Sequence, residues 1–128
     1  MADVSSTPRP LLLLVEDEST LVAALVANLE NEYEVEVAGT ADEARMLLGS
    51  RKYAAILSDH MLPGKAQGLD FLVEALERQP AAKRILMTGY LNPDLLGRSV
   101  PLAQLSACLL KPVDMPKLKA ALKAALAG

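Results

Sequence analysis

The chain of 128 residues has no tryptophan, one phenylalanine and three tyrosines. Modules that hold single-stranded nucleic acid stack bases on aromatic platforms, and this sequence cannot supply one. It has one cysteine and one histidine, too few for an internal disulfide or for a zinc centre built on those residue types. Such cysteine usage fits a reducing cytoplasm. Basic charge is also scarce: 13 Lys and Arg stand against 16 Asp and Glu, a net charge of −3, the wrong balance for a binder of phosphate backbones. No uninterrupted apolar run approaches the ~20 residues that span a bilayer. The start, Met1–Pro10, carries Ser5, Ser6, Thr7 and two prolines and has no signal-peptide core. Neither G-x-G-x-x-G nor a Walker A pattern occurs. The expectation is a cytoplasmic protein with no membrane insertion and no direct contact to nucleic acid.

What the chain does have is aliphatic residues: 25 Leu, 20 Ala and 9 Val, within a hydrophobic fraction of 52%. This length and composition suit one globular domain. Residues 1–9 read as a flexible lead-in and residues 10–128 as the domain. Leu11–Val15 is a short unbroken apolar run, as expected of a strand buried on both faces. After the acids Glu16, Asp17 and Glu18, Leu21, Val22, Leu25, Val26 and Leu29 form a helical stripe, with Ser19 or a neighbouring acid as its cap. Glu34–Ala38 alternates like an edge strand. Thr40 and Glu43 form a capping box for a helix that stops near Gly49. Tyr53–Ser58 reads as a third buried strand ending at Asp59, and His60–Gln67 as a loop. Gly68–Arg78 has helical spacing, Arg84–Met87 is a fourth strand, and Cys108–Leu110 is a fifth, before a last helix capped by Asp114. Pro93, Gly97 and Pro101 interrupt the region between the fourth and fifth strands, leaving one or two helical turns near Asp94–Ser99. Strand and helix thus alternate five times, which predicts an α/β fold with a doubly wound parallel sheet.

In such a sheet, residues just beyond the carboxyl ends of the strands share one edge. Glu16 and Asp17 follow the first strand, Asp59 ends the third, Thr88 follows the fourth and Lys111 follows the fifth. Three carboxylates, a hydroxyl and an ammonium therefore converge. Clustered carboxylates repel one another, and a hard divalent cation such as Mg2+ is their usual remedy. A cation and a lysine can neutralise an incoming phosphoryl group, a hydroxyl can bond to it, and one carboxylate can accept it as an acyl phosphate.

LLLLVEDE (11–18), SDHMLPG (58–64), MTG (87–89) and LLKP (109–112) occur in one order, with spacings of 42 from Asp17 to Asp59, 29 from Asp59 to Thr88 and 23 from Thr88 to Lys111. In these motifs the sequence resembles the receiver domains of two-component response regulators, over residues ~10–127. The resemblance implies a flavodoxin-like, CheY-like (βα)5 fold with a five-stranded sheet in the order 2-1-3-4-5. It implies a phosphorelay module rather than an enzyme, switching protein contacts when phosphorylated. Asp59 would be the phosphoacceptor. Mg2+ would be held by Asp17, Glu16, Asp59 and the main-chain carbonyl of Met61. Thr88 and Lys111 would bind the phosphoryl group, and the Lys111–Pro112 peptide would be cis. The donor would be a phosphohistidine on a sensor histidine kinase or histidine phosphotransfer protein, the readout would be a downstream protein target, and a homodimer is compatible. Two other readings are a receiver-like scaffold that signals without phosphate and a Mg2+-dependent aspartyl phosphatase. The phosphatase class wants Asp-x-Asp after the first strand, where this chain has Glu-Asp-Glu.

Four positions differ from the family's common pattern. Glu16 stands where Asp is usual. Gly68 follows Asp59 by nine residues rather than eight. Gln104 and Leu105 replace Gly-Ala, and Cys108 occupies the site of the aromatic that moves with the threonine. Tyr90, two residues after Thr88, is either a substitute switch aromatic or a residue on the rim of the site. His60 reads as a solvent-exposed loop residue, and Cys108 as a small buried hydrophobe.

Overall fold

The computed structural model describes residues 8–62, 68–89 and 93–128; the side chains of residues 93, 95, 96, 98 and 99 are also outside the description. The elements alternate without exception: β1 (Leu11–Val15), α1 (Ser19–Leu29), β2 (Glu34–Ala38), α2 (Ala41–Leu48), β3 (Ala55–Asp59), α3 (Gly68–Arg78), β4 (Lys83–Thr88), α4 (Pro93–Ala103), β5 (Ala107–Leu110) and α5 (Met115–Ala127). The five strands are parallel, in the order β2-β1-β3-β4-β5. This is the flavodoxin-like doubly wound sheet expected from the sequence. The expected lead-in falls mostly outside the described residues, as do Tyr90 and most of the loop before Gly68.

Successive side chains of a strand point to opposite faces, so an unbroken apolar strand supplies two cores. Leu13 and Val15 of β1, Ile56 of β3 and Leu86 of β4 pack with α2, α3 and α4 through Ala44, Leu48, Phe71, Leu72 and Ala103. Leu12 and Leu14, Leu57, and Ile85 and Met87 pack on the other face, against Leu25 and Leu29 of α1 and Leu118 and Leu122 of α5. The chain's one phenylalanine, Phe71, is fully buried in the first core. β2 is a partly exposed edge, as its alternation predicts.

Several helix starts follow the sequence. Thr40 Oγ1 accepts the Glu43 amide at 3.1 Å, and Glu43 Oε1 accepts the Gly39 amide at 2.6 Å. Asp114 Oδ1 accepts the Lys117 amide at 3.1 Å. α1 differs. Its N-cap residue is Glu18, and neither Glu18 nor Ser19 caps it through a side chain. The carboxylate of Glu16 accepts the Glu18 amide instead, at 3.1 Å, which places negative charge at the helix start. β3 begins at Ala55 rather than at Tyr53, whose amide donates to Gln79 Oε1 at 2.9 Å instead of joining the ladder.

The largest correction concerns α4. It has 11 residues rather than one or two turns. Pro93 lies at its first position, where a fixed φ favours the helix and no amide is needed. Pro101 falls in its last turn, so the proline interrupts bonding only near the end. That end is held from the sheet. Arg84 of β4 is buried, and its guanidinium donates to the carbonyls of Ala103 at 2.7 Å, Gln104 at 3.3 Å and Ala82. Burial pulls its pKa below the usual arginine value. The orphan carbonyls of a helix C-terminus are natural partners for such a cation.

Beyond α4, Gln104 has φ of 48°, the left-handed region that costs a residue with a Cβ about 1–2 kcal/mol. This is one of the positions where the family more often has glycine. Gln104→Gly should therefore stabilise the protein by about 1 kcal/mol, after the extra freedom glycine gives the unfolded chain, and raise the melting temperature by about 4 °C. Thermal unfolding followed by circular dichroism checks this. An unchanged or lower midpoint would show that the turn is not strained.

Candidate functional site

The carboxyl ends of the strands bring five side chains to one edge. Glu16 and Asp17 lie immediately after β1, Asp59 is the last residue of β3, Thr88 is the last of β4, and Lys111 follows β5. Glu16, Asp59 and Thr88 are buried and Asp17 is exposed. One carboxylate oxygen from each of Glu16, Asp17 and Asp59 lies within 4.8 Å of the others. Lys111 reaches over the end of β4 to this cluster. Its Nζ donates to Glu16 Oε1 at 3.0 Å and pairs with Asp59 Oδ1 at 3.2 Å.

A buried carboxylate is costly unless charge or hydrogen bonds compensate it. Glu16 has both: Oε1 faces Lys111 and Oε2 accepts the Glu18 amide. The extra methylene of glutamate lets one side chain reach the lysine and the start of α1 together. Burial is the largest single influence on Lys111 and works to lower its pKa. The hydrogen bonds to Glu16 and Asp59, with their charges, outweigh it, so the pKa ends above the usual lysine value. The ammonium stays charged throughout the neutral range.

The main chain around Asp59 is clamped. The Ser58 hydroxyl donates to the Asp59 carbonyl at 3.0 Å, the His60 amide donates to the Met87 carbonyl at 2.8 Å, and the Gly68 amide donates to the His60 carbonyl at 2.9 Å. Gly68 is at the start of α3, and a Cβ built there would lie 1.7 Å from the Asp59 carbonyl oxygen and 2.9 Å from Ser58 Oγ. Glycine is thus required by close approach to the backbone that carries Asp59, even with one more residue in the preceding loop than is common. The Lys111 amide donates to the Thr88 carbonyl at 2.8 Å, and the Lys111–Pro112 peptide is cis.

Of the remaining expected residues, Met61 has an exposed side chain, Tyr90 lies outside the described residues, and Cys108 is half-buried on β5 opposite Leu86. Burial raises the Cys108 thiol pKa, which keeps it a small neutral hydrophobe against the α2–α4 core. His60, expected to be exposed, is half-buried, with Nδ1 at 3.4 Å from Thr88 Oγ1. Its position could have suggested this contact. Directly after Asp59, with strand parity kept, it falls on the same sheet face as Thr88.

A five-stranded parallel sheet that gathers acids, a threonine and a lysine at its carboxyl edge defines a signalling receiver. The chain belongs to the response regulator receiver domain family, whose sequence profile matches residues 12–123. It is 36% identical over 112 residues to the hydrogenase transcriptional regulatory protein HoxA of Cupriavidus necator, covering 88% of this chain and 22% of HoxA, about a fifth of that regulator's length. Among solved structures it resembles the receiver domain of an HD domain-containing protein from Pseudomonas fluorescens Pf-5, with a TM-score of 0.86 and 30% identity over 93% of this chain and 95% of that one. A response regulator from Burkholderia pseudomallei, solved with a phosphorylated aspartic acid, calcium ion and citrate, gives a TM-score of 0.81 and 28% identity over 92% of this chain and 69% of that one. Among the described residues, no helix is long and apolar enough to cross a membrane.

Because the added methyl must displace backbone rather than a flexible side chain, Gly68→Ala should cost about 2 kcal/mol or more. A lower urea midpoint with an unchanged slope is the expected result. A wild-type midpoint would mean that the contact with Asp59 relaxes freely.

Proposed function

We propose that this receiver accepts a phosphoryl group on Asp59 from a phosphohistidine of a sensor histidine kinase or histidine phosphotransfer protein, and that this switches its contacts with a downstream protein target in the cytoplasm. The observation that carries the proposal is the bridge from Lys111 to both Glu16 and Asp59, with Asp17 in the same cluster. An Asp59 oxygen attacks phosphorus, the phosphorus–nitrogen bond breaks, and its electron pair leaves on the imidazole nitrogen. Such transfer demands mainly positioning and charge neutralisation. Lys111 would pair with a phosphoryl oxygen, and Thr88 would donate its hydroxyl to another. The aspartyl phosphate of the Burkholderia relative supports the assignment by likeness. HoxA's name supports a place in a regulatory circuit.

The donor set fits Mg2+. Asp17 is exposed, Asp59 lies beside it, and each Glu16 oxygen retains a lone pair beyond its present bond. Asp17 and Asp59 would hold the ion, with Glu16 and the Met61 main-chain carbonyl assisting. The ion would supply charge neutralisation for the phosphoryl oxygens.

Incubation with Mg2+ and acetyl phosphate, followed by intact-mass measurement, should add one phosphoryl group to the wild-type protein and none to Asp59→Asn. No adduct, either from acetyl phosphate or from a phosphorylated cognate kinase, would overturn the assignment. Lys111 is also the present counter-ion of the acids. Lys111→Met should therefore bind Mg2+ about tenfold more tightly, since a competing charge a few ångströms away is removed. Titration calorimetry measures this, and equal or weaker affinity would contradict the electrostatic reading.

A further inference from the structure

His60 is the chain's one histidine, and no step above uses it. Ile56 of β3 and Leu86 of β4 face the α2–α4 core, so by strand parity Ser58, His60 and Thr88 share that face. Both backbones are anchored. The His60 amide donates to the Met87 carbonyl and the His60 carbonyl accepts the Gly68 amide, while the Thr88 carbonyl accepts the Lys111 amide. Between these fixed points the ring Nδ1 and the Thr88 hydroxyl oxygen stand 3.4 Å apart, and either can donate according to the tautomer. The ring is half-buried and the threonine buried, so water competes poorly for the contact.

We propose that His60 is a positioning residue for the Thr88 hydroxyl, holding it on the α3–α4 side of the sheet until a phosphoryl group on Asp59 draws it away. The inference rests on the reading of Asp59 as phosphoacceptor and adds a competitor for the same hydroxyl. The imidazole thereby contributes to how much of the protein occupies the switched state at a given level of phosphorylation. Losing one such hydrogen bond should change the ratio of the two states by about 2- to 10-fold.

Beryllofluoride with Mg2+, a mimic of a phosphoryl group on a carboxylate, gives the test by NMR at one fixed pH. In the wild type, the Thr88 methyl and the His60 ring nitrogens should shift together on its addition. Without beryllofluoride, the Thr88 methyl of His60→Leu should already lie part of the way towards the bound position. His60→Asn, which restores a polar atom near the place of Nδ1, should return it towards the wild-type position. Beryllofluoride-saturated positions should coincide in all three proteins. A Thr88 methyl unmoved in His60→Leu, or wild-type ring nitrogens that stay still while Thr88 responds, would overturn the role of His60 and leave the Asp59 assignment standing. The ring measurement needs no substitution, so a poorly folded variant does not protect the proposal. A wild-type protein that does not respond at all would remove the Asp59 assignment and this inference together.

Discussion

Everything at the carboxyl edge of the sheet depends on compensating three acids held within 4.8 Å of one another. Lys111 does this from β5, which is separated from β3 by β4 and from β1 by β4 and β3. Its ammonium touches acids that follow the first strand and end the third, so these contacts tie three strands together at one edge. The geometry works because its own backbone is fixed, with its amide bonded to the Thr88 carbonyl. A lysine free to move would lose rotamer entropy on pairing and offset much of the gain. Here the sheet has already placed its Cα, although the side-chain rotamers are still ordered on pairing. The residual negative charge is centred on exposed Asp17, the acid that the lysine does not pair with.

That edge could be read from the sequence because two periodicities are simple. Leu11–Val15 and the apolar residues around Ile56 and Leu86 carry no polar alternation, so those strands had to be covered on both faces. Two covered faces and alternating helices leave only the strand ends for polar chemistry. Glu16, Asp17, Asp59, Thr88 and Lys111 all fall at such ends, and the structure brings them to the same edge. The four short motifs identified the family for the same reason, since the first spacing is the length of two βα units and the next two are one each.

Other features depend on contacts between residues distant in sequence. Arg84 lies in an apolar strand and gives no sign that its partners are carbonyls some 20 residues away, at the end of α4. Local propensity therefore assigned the prolines of that region to breaks. The tertiary anchor, with Pro93 at the start and Pro101 in the last turn, permits a full helix. The start of α1 is a local case of a different kind. The Glu18 amide is served by Glu16, two residues earlier and already counted for another purpose, and the N-cap side chain itself makes no cap bond. His60 looked like a loop residue because Pro63, Gly64 and Lys65 follow it, whereas its environment is set by β4 and by Gly68.

The scarcity of aromatic residues leaves this receiver a particular way to change state. Opposite Leu86, where a large ring is common in the family, stands Cys108, which packs as a small hydrophobe. The backbone on both sides of the edge is tied by hydrogen bonds from Ser58, His60, Gly68 and Lys111. With its backbone held, Thr88 can still rotate its side chain. Threonine is β-branched, so that rotation has a few well-separated positions rather than a continuum. On the reading proposed for Asp59, a group with discrete positions between an imidazole on one side and that carboxylate edge on the other would serve as a two-state element. New charge on that carboxylate would then shift its equilibrium away from the imidazole.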